Sequence, residues 1–322
     1  MKAIICEQFG PVSELRVVER DSAPLGPNDV RVAVTACGVN FVDGLFVQGK
    51  YQIKPPVPFV PGMEVVGRVV EVGSDVSTRA VDDRVFVNVG LGGYVSELVV
   101  GEARTVLLSD SVSDGQAATF TQSYLTGWFA LRERAQVQSG QNLLVLGAGG
   151  GVGLAAVDIG SSLGMHVVAV ASTEEKRQLA LSRGAEAVID STSEDVKERA
   201  KELGGGSVDV LYDPVGGDLG TTCLRALGDN GAYLVIGFVG GIPNLPANQI
   251  LLRNRRVIGV DWGGWALRNG ERNEELTAQV LAEITAGRLN PVEPVAYPLA
   301  EAARALTDLE ERKVAGKAIL VP

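Results

Sequence analysis

Near the middle of the chain an apolar run, Asn142-Leu143-Leu144-Val145-Leu146, ends in Gly147-Ala148-Gly149-Gly150-Gly151-Val152-Gly153, and a helical pattern follows at once. A strand that turns through glycines directly into a helix admits few folds. Gly149, Gly150 and Gly151 lack Cβ atoms, so amides at the helix start stand open, and the positive end of the helix dipole favours an anion there. In this context the glycines read as a dinucleotide fingerprint. Gly149, Gly150, Gly151 and Val152 would approach a diphosphate, while Gly153 lets the helix close on the sheet. The other reading is an ordinary glycine-rich turn.

The flanking sequence repeats the same alternation. Apolar spacing predicts helices over 116–131, 152–163, 174–183, 194–203 and 218–227. Between and after them it predicts strands over 142–146, 167–171, 187–189, 208–212, 232–236 and 257–260. Six strands in that order predict an α/β, Rossmann-like doubly wound parallel sheet. A further helix over 273–286 carries Leu276, Val280, Leu281 and Ile284 at helical spacing, with Gly287 as its stop. The first third is different, with short strands over 30–36, 65–72, 84–89 and 94–100 set between Gly, Pro and Asp. The last strand, 318–321, is expected to return to this β-rich part. At 322 residues two domains are expected: 1–121 with 288–322, and 122–287.

Several functions are disfavoured. With 39 acidic against 29 basic residues the formal charge is -10, and no Lys/Arg run is dense enough for a row of phosphates, so nucleic acid is not an expected partner. No apolar stretch reaches the roughly 18–20 residues of a membrane span, and the N-terminus meets Glu7 before any signal-like run, so a cytoplasmic chain is expected. Cys6, Cys37 and Cys223 lie far apart and are expected as buried thiols. A single histidine, His166, opens an apolar run and reads as structural.

About twenty residues beyond the glycine turn, where NAD-binding chains present Asp or Glu to the ribose, this chain has Ala171-Ser172. Ser172 can donate to a 2′-phosphate, and Lys176 or Arg177 can add a charge-assisted bond of about 1.5–3 kcal/mol. NADPH is therefore expected over NADH. Ser172 can equally cap the next helix, with Glu175 completing a capping box and Lys176 and Arg177 solvated.

Three further segments carry a resemblance that spans essentially the whole chain: Cys37-Gly38-Val39-Asn40-Phe41-Val42-Asp43, Pro58-Phe59-Val60-Pro61-Gly62-Met63-Glu64, and the closing Gly316-Lys317-Ala318-Ile319-Leu320-Val321. With the glycine turn, they resemble the zinc-free quinone oxidoreductase branch of the medium-chain dehydrogenases/reductases. That resemblance implies a GroES-like catalytic domain beside the Rossmann-like one. The zinc alcohol dehydrogenases of the superfamily use Cys, His and Cys, and the matching positions here are Asn40, Met63 and Gln122, which do not form a zinc ligand set. The resemblance thus implies chemistry without a metal.

It also implies that Asn40 lies near the nicotinamide and that Tyr51 lines the acceptor pocket, where both can polarise an acceptor oxygen. Read as residues alone, Asn40 can be a turn residue and Tyr51 surface packing. Thr126, Phe238 and Trp262 resemble cofactor-flanking positions and can also be core. Leu45 replaces a second family tyrosine, and Ser191 stands where a tyrosine often supports the adenosine phosphate. A quinone is the expected acceptor; reduction of an activated C=C bond in an enone, enal or enoyl thioester is the alternative, and a non-catalytic NADPH-binding protein another. The segment 255–260 is expected at a sheet edge, which predicts a homodimer.

Overall fold

The computed structural model describes the whole chain, residues 1–322. It divides into two compact units, Met1–Thr121 with Val292–Pro322, and Gln122–Pro291. The second unit continues past Gly287 because Asn290 is tied into it. The Asn290 N–H donates to Asp158 Oδ2 at 2.6 Å, and its carbonyl accepts from Arg183 at 2.6 Å.

In the first unit a seven-stranded sheet runs Val295–Pro298, Ala318–Val321, Asp29–Val39, Glu64–Val72, Arg84–Asn88, Thr105–Leu107, with Glu97–Gly101 also paired to Asp29–Val39. The central strand reaches Val39 because its two halves have different partners. Residues 29–33 pair with Glu97–Gly101, and Cys37 to Val39 pair with the C-terminal strand. Val34, Cys37 and Val39 share one core cluster despite their odd spacing. A register shift between Val34 and Ala36 moves the pleat by one residue, as a bulge does. The strand expected at 94 starts only at Glu97, since the Tyr94 N–H donates instead to Pro61 O at 2.9 Å.

The second unit holds a six-stranded, wholly parallel sheet ordered Ala187–Asp190, His166–Ala171, Asn142–Val145, Val208–Asp213, Leu227–Val235, Arg256–Gly259. This is the doubly wound order, and the glycine turn leaves its first strand at the point where strand order reverses. Leu143, Leu144 and Val145 are fully buried, so truncating either leucine to Ala would cost about 2–5 kcal/mol. Arg256–Gly259 has one strand neighbour and forms an edge.

Three local expectations are corrected. The helix expected over 116–131 is broken: a short α-helix, Asp114–Ala117, is capped by Ser113 Oγ accepting from the Gln116 N–H at 3.0 Å. Wide π turns follow at Thr121–Leu125 and Phe129–Ala135, flanking Thr126–Trp128. Such turns re-aim side chains where polar groups need buried partners. Tyr124 OH accordingly donates to Asp158 Oδ2 at 2.6 Å. The helix Glu174–Ser182 is capped by Thr173, not Ser172, with Thr173 Oγ1 accepting from the Lys176 N–H at 3.3 Å. The helix expected over 218–227 ends at Cys223 and tightens into a 3₁₀ turn, Leu224–Ala226.

All three thiols are buried and unpaired, and burial pushes Cys37 and Cys223 up to about 12, which makes them poor nucleophiles at neutral pH. His166 is exposed, with Nδ1 2.9 Å from Glu186 Oε1. No helix is long and apolar enough to cross a membrane.

Candidate functional site

In the second unit the turn is drawn tight by its own backbone. Gly147 has φ 59°, and the Gly150 N–H donates to Gly147 O at 3.0 Å. Gly150 then opens the helix Gly151–Ser162 with no side-chain cap and no acidic residue in the first turn. A Cβ on Gly153 would stand 2.3 Å from Gly147 O, and one on Gly149 would meet the Lys176 side chain at 2.5 Å. At Gly150 the nearest atom is 3.6 Å away. The protein itself therefore requires Gly149 and Gly153, whereas Gly150 leaves a bare surface beside uncapped amides. That cradle fits a diphosphate.

The structure separates residues that the sequence treated alike. Ser172 is exposed at the end of the strand His166–Ala171. Lys176 is buried at 8% exposure, its methylenes lying along Gly149. Arg177 is a strut: its guanidinium pairs with Glu174 at 2.9 Å and Asp190 at 3.1 Å. Phe238 is 44% exposed, and Thr126 is half-buried. Trp262 is buried, and its indole N–H donates to Asn273 Oδ1 at 3.0 Å, which makes it part of the packing of the helix Gly270–Thr285.

In the first unit Asn40 caps the helix Phe41–Val47 where it leaves the central strand. Its N–H donates to Asp43 Oδ2 at 2.9 Å, and its side-chain Nδ2 donates to Glu64 Oε1 at 2.9 Å. Asn40 Oδ1 accepts from Lys317 Nζ, which also lies 3.6 Å from Glu64 Oε1. Thr121 Oγ1 donates to Glu64 Oε2. Glu64 is wholly buried, and a Cβ on Gly38 would meet its Cγ at 2.6 Å, so Gly38 makes the space it occupies.

A second carboxylate adjoins this set. Tyr94 OH donates to Asp43 Oδ2 at 2.8 Å, while buried Asp43 Oδ1 has no partner. Burial pushes Asp43 up to about 7, against the pull of the Asn40 and Tyr94 donors. Tyr51 is half-buried, its ring 4.7 Å from that of Phe46. Met63 packs against the same apolar cluster, and no three His, Cys, Asp or Glu side chains group as metal ligands.

Glu64, Lys317 and Asp43 lie within the quoted motifs and Tyr94 opens an expected strand, yet sequence reasoning gave them no role. The available signal was a lone charge opening each of two apolar strands, Glu64-Val65-Val66 and Lys317-Ala318-Ile319. Opposite charges in such positions are stable mainly as partners.

Residues 26–127 match the alcohol dehydrogenase GroES-like domain, and residues 151–282 match the zinc-binding dehydrogenase family. A GroES-like domain joined to a Rossmann-like one defines a medium-chain dehydrogenase/reductase. The chain is 37% identical to quinone oxidoreductase-like protein 2 homolog of Nematostella vectensis, over 99% of this chain and 88% of that protein. It is also 37% identical to quinone oxidoreductase-like protein 2 of Bos taurus, over 99% and 92%. Among solved structures, the Escherichia coli quinone oxidoreductase complexed with NADPH superposes with TM-score 0.89 at 30% identity, with 100% of both chains covered. This chain belongs to the quinone oxidoreductase-like family of oxidoreductases.

Proposed function

We propose that the chain is an NADPH-dependent reductase that passes hydride to a quinone without a metal. The observation that carries this reading is the uncapped cradle at Gly149, Gly150, Gly151 and Val152, followed by Ala171-Ser172 in place of an acidic residue. The amides hold the diphosphate, and Ser172 and Lys176 hold the 2′-phosphate. Arg177 contributes by holding Glu174 and Asp190, whose charges would otherwise oppose the phosphate. Thr126 and Phe238 flank the nicotinamide half, whereas Trp262, bonded to Asn273, belongs to the packing.

Bound NADPH supplies the hydride, and a proton from solvent completes the hydroquinone. Asn40 and Tyr51 donate to the acceptor oxygen on which negative charge develops. With Asn40, Met63 and Gln122 at the positions that resemble zinc ligands, hydrogen bonds carry this polarisation. Leu45 makes the acceptor pocket more apolar than a two-tyrosine site. The three separate buried thiols fit a reducing, cytoplasmic setting.

We also propose a homodimer through Arg256–Gly259. Only one of its edges is paired, and Val257 within it is 40% exposed, with Leu251 and Leu252 before it at 77% and 58%.

The test follows NADPH oxidation with a small quinone, an enone and an enoyl-CoA at one enzyme concentration. Fastest turnover is expected with the quinone. A rate with the enoyl thioester alone would overturn the quinone assignment, and tight NADPH binding with no turnover on any acceptor would point to a regulatory protein.

A further inference from the structure

We propose that Glu64 and Lys317 fix the sense of the Asn40 carboxamide, so that Asn40 turns a single N–H donor toward a ligand. An asparagine amide fills nearly the same space when turned end for end, so only its hydrogen-bond partners decide which end faces which way. Here the nitrogen faces Glu64 Oε1 at 2.9 Å, and the oxygen faces Lys317 Nζ. A carboxylate only accepts and an ammonium only donates. Turning the amide would set its oxygen against Glu64 and its nitrogen against Lys317.

The surroundings deny the reversed form any relief. Asn40 is 7% exposed, Lys317 8% and Glu64 0%, so water cannot readily repair the lost bonds. Thr121 Oγ1 occupies the other Glu64 oxygen, and Ala118 O and Glu64 close on Gly38 behind it. The cap adds a further restraint, because the Asn40 N–H is held by Asp43 Oδ2 at 2.9 Å.

Counting valences completes the argument. Of the two Nδ2 hydrogens one goes to Glu64, and one lone pair of Oδ1 goes to Lys317. What remains to donate is a single N–H. Its complement is a carbonyl oxygen, supplied either by the acceptor or by the nicotinamide carboxamide. The inference rests on the reductase reading for the ligand's identity, but the locked amide is a property of the protein alone. Glu64 and Lys317 are positioning residues in this scheme.

The side-chain amide of Asn40 tests the lock without any cofactor. In a ¹⁵N–¹H spectrum its signal, identified by its loss in N40D, should show two widely separated protons, one slow to exchange. E64M, which leaves no acceptor, and K317M should collapse that separation, and K317R should restore it. An ordinary proton pair, unmoved by E64M and K317M in cooperatively folded protein, would overturn the proposal. In kinetics, K317M should lower quinone kcat/KM by about tenfold with the NADPH Kd within about twofold, if the acceptor supplies the oxygen. A Kd for NADPH weakened by about tenfold would assign the oxygen to the nicotinamide. Unchanged Kd and kcat/KM in K317M and E64M would refute the donor role, whereas wild-type protein that binds no NADPH refutes the reductase reading and leaves the spectral test standing.

Discussion

Tyr94 OH donates to Asp43 Oδ2 at 2.8 Å, and the Asn40 N–H donates to the same oxygen at 2.9 Å, so Oδ1 is left buried with no partner. Two donors on one oxygen do not offset the burial of a full charge, and the carboxyl is pushed up to about 7. In the unfolded chain it ionises near 4. Between those values the native state holds the extra proton. The stability this contributes is full below about pH 4 and is lost as pH rises through about 7. The loss is on the order of 4 kcal/mol across that window. D43N keeps an oxygen for both donors and cannot ionise, so its Tm should fall less than that of wild type between about pH 5 and about pH 8. Parallel Tm curves for the two proteins would refute this account.

Glycines of the turn should separate by substitution. G153A puts a Cβ 2.3 Å from Gly147 O, which should force the turn apart, cost about 1–3 kcal/mol and lower the Tm. G150A meets nothing closer than 3.6 Å at an ordinary φ of -97°, so its Tm should stay near that of wild type. Its methyl would nevertheless stand where the diphosphate is proposed to lie. Calorimetry on G150A should show a stable protein with NADPH affinity reduced at least about tenfold. Wild-type affinity there would remove the diphosphate from this turn.

Lys176 and Arg177 should differ in kind. K176M is expected to weaken NADPH by roughly ten- to a hundredfold while leaving NADH within about twofold, because only the former carries the 2′-phosphate. R177A should cost less NADPH affinity and more stability, since it unties Glu174 and Asp190. Equal losses for both dinucleotides in K176M, measured by fluorescence titration, would contradict the assignment.

Sedimentation should give wild type about twice the 33.8 kDa of one chain, and V257K should shift it to the single-chain mass by placing a charge on the free strand edge. A 33.8 kDa species for wild type at micromolar concentration would exclude the edge-paired dimer.

Much of the second unit was legible because its signals are local. A buried strand such as Leu143-Leu144-Val145 and the glycines after it are recognisable within a dozen residues, and sheet order follows from strands and helices in alternation. Capping was less legible. Ser172 and Thr173 are both competent, and only the backbone conformation entering the helix selects Thr173, at φ -122° and ψ 152°. The long helix expected over 116–131 failed for a related reason, as apolar spacing does not reveal that Tyr124 must reach Asp158.

By itself the sequence determined the strand, turn and helix about Gly147–Gly153, the absence of an acidic residue at 171–172, and a β-rich first domain completed by the C-terminal strand. These follow from steric freedom and periodicity, which act over a few bonds. Only the tertiary structure decided that Asn40 would be held between Glu64 and Lys317, residues from distant parts of the chain. A charge can be buried only where its partner is buried with it, and that pairing exists only once the strands Asp29–Val39, Glu64–Val72 and Ala318–Val321 lie side by side.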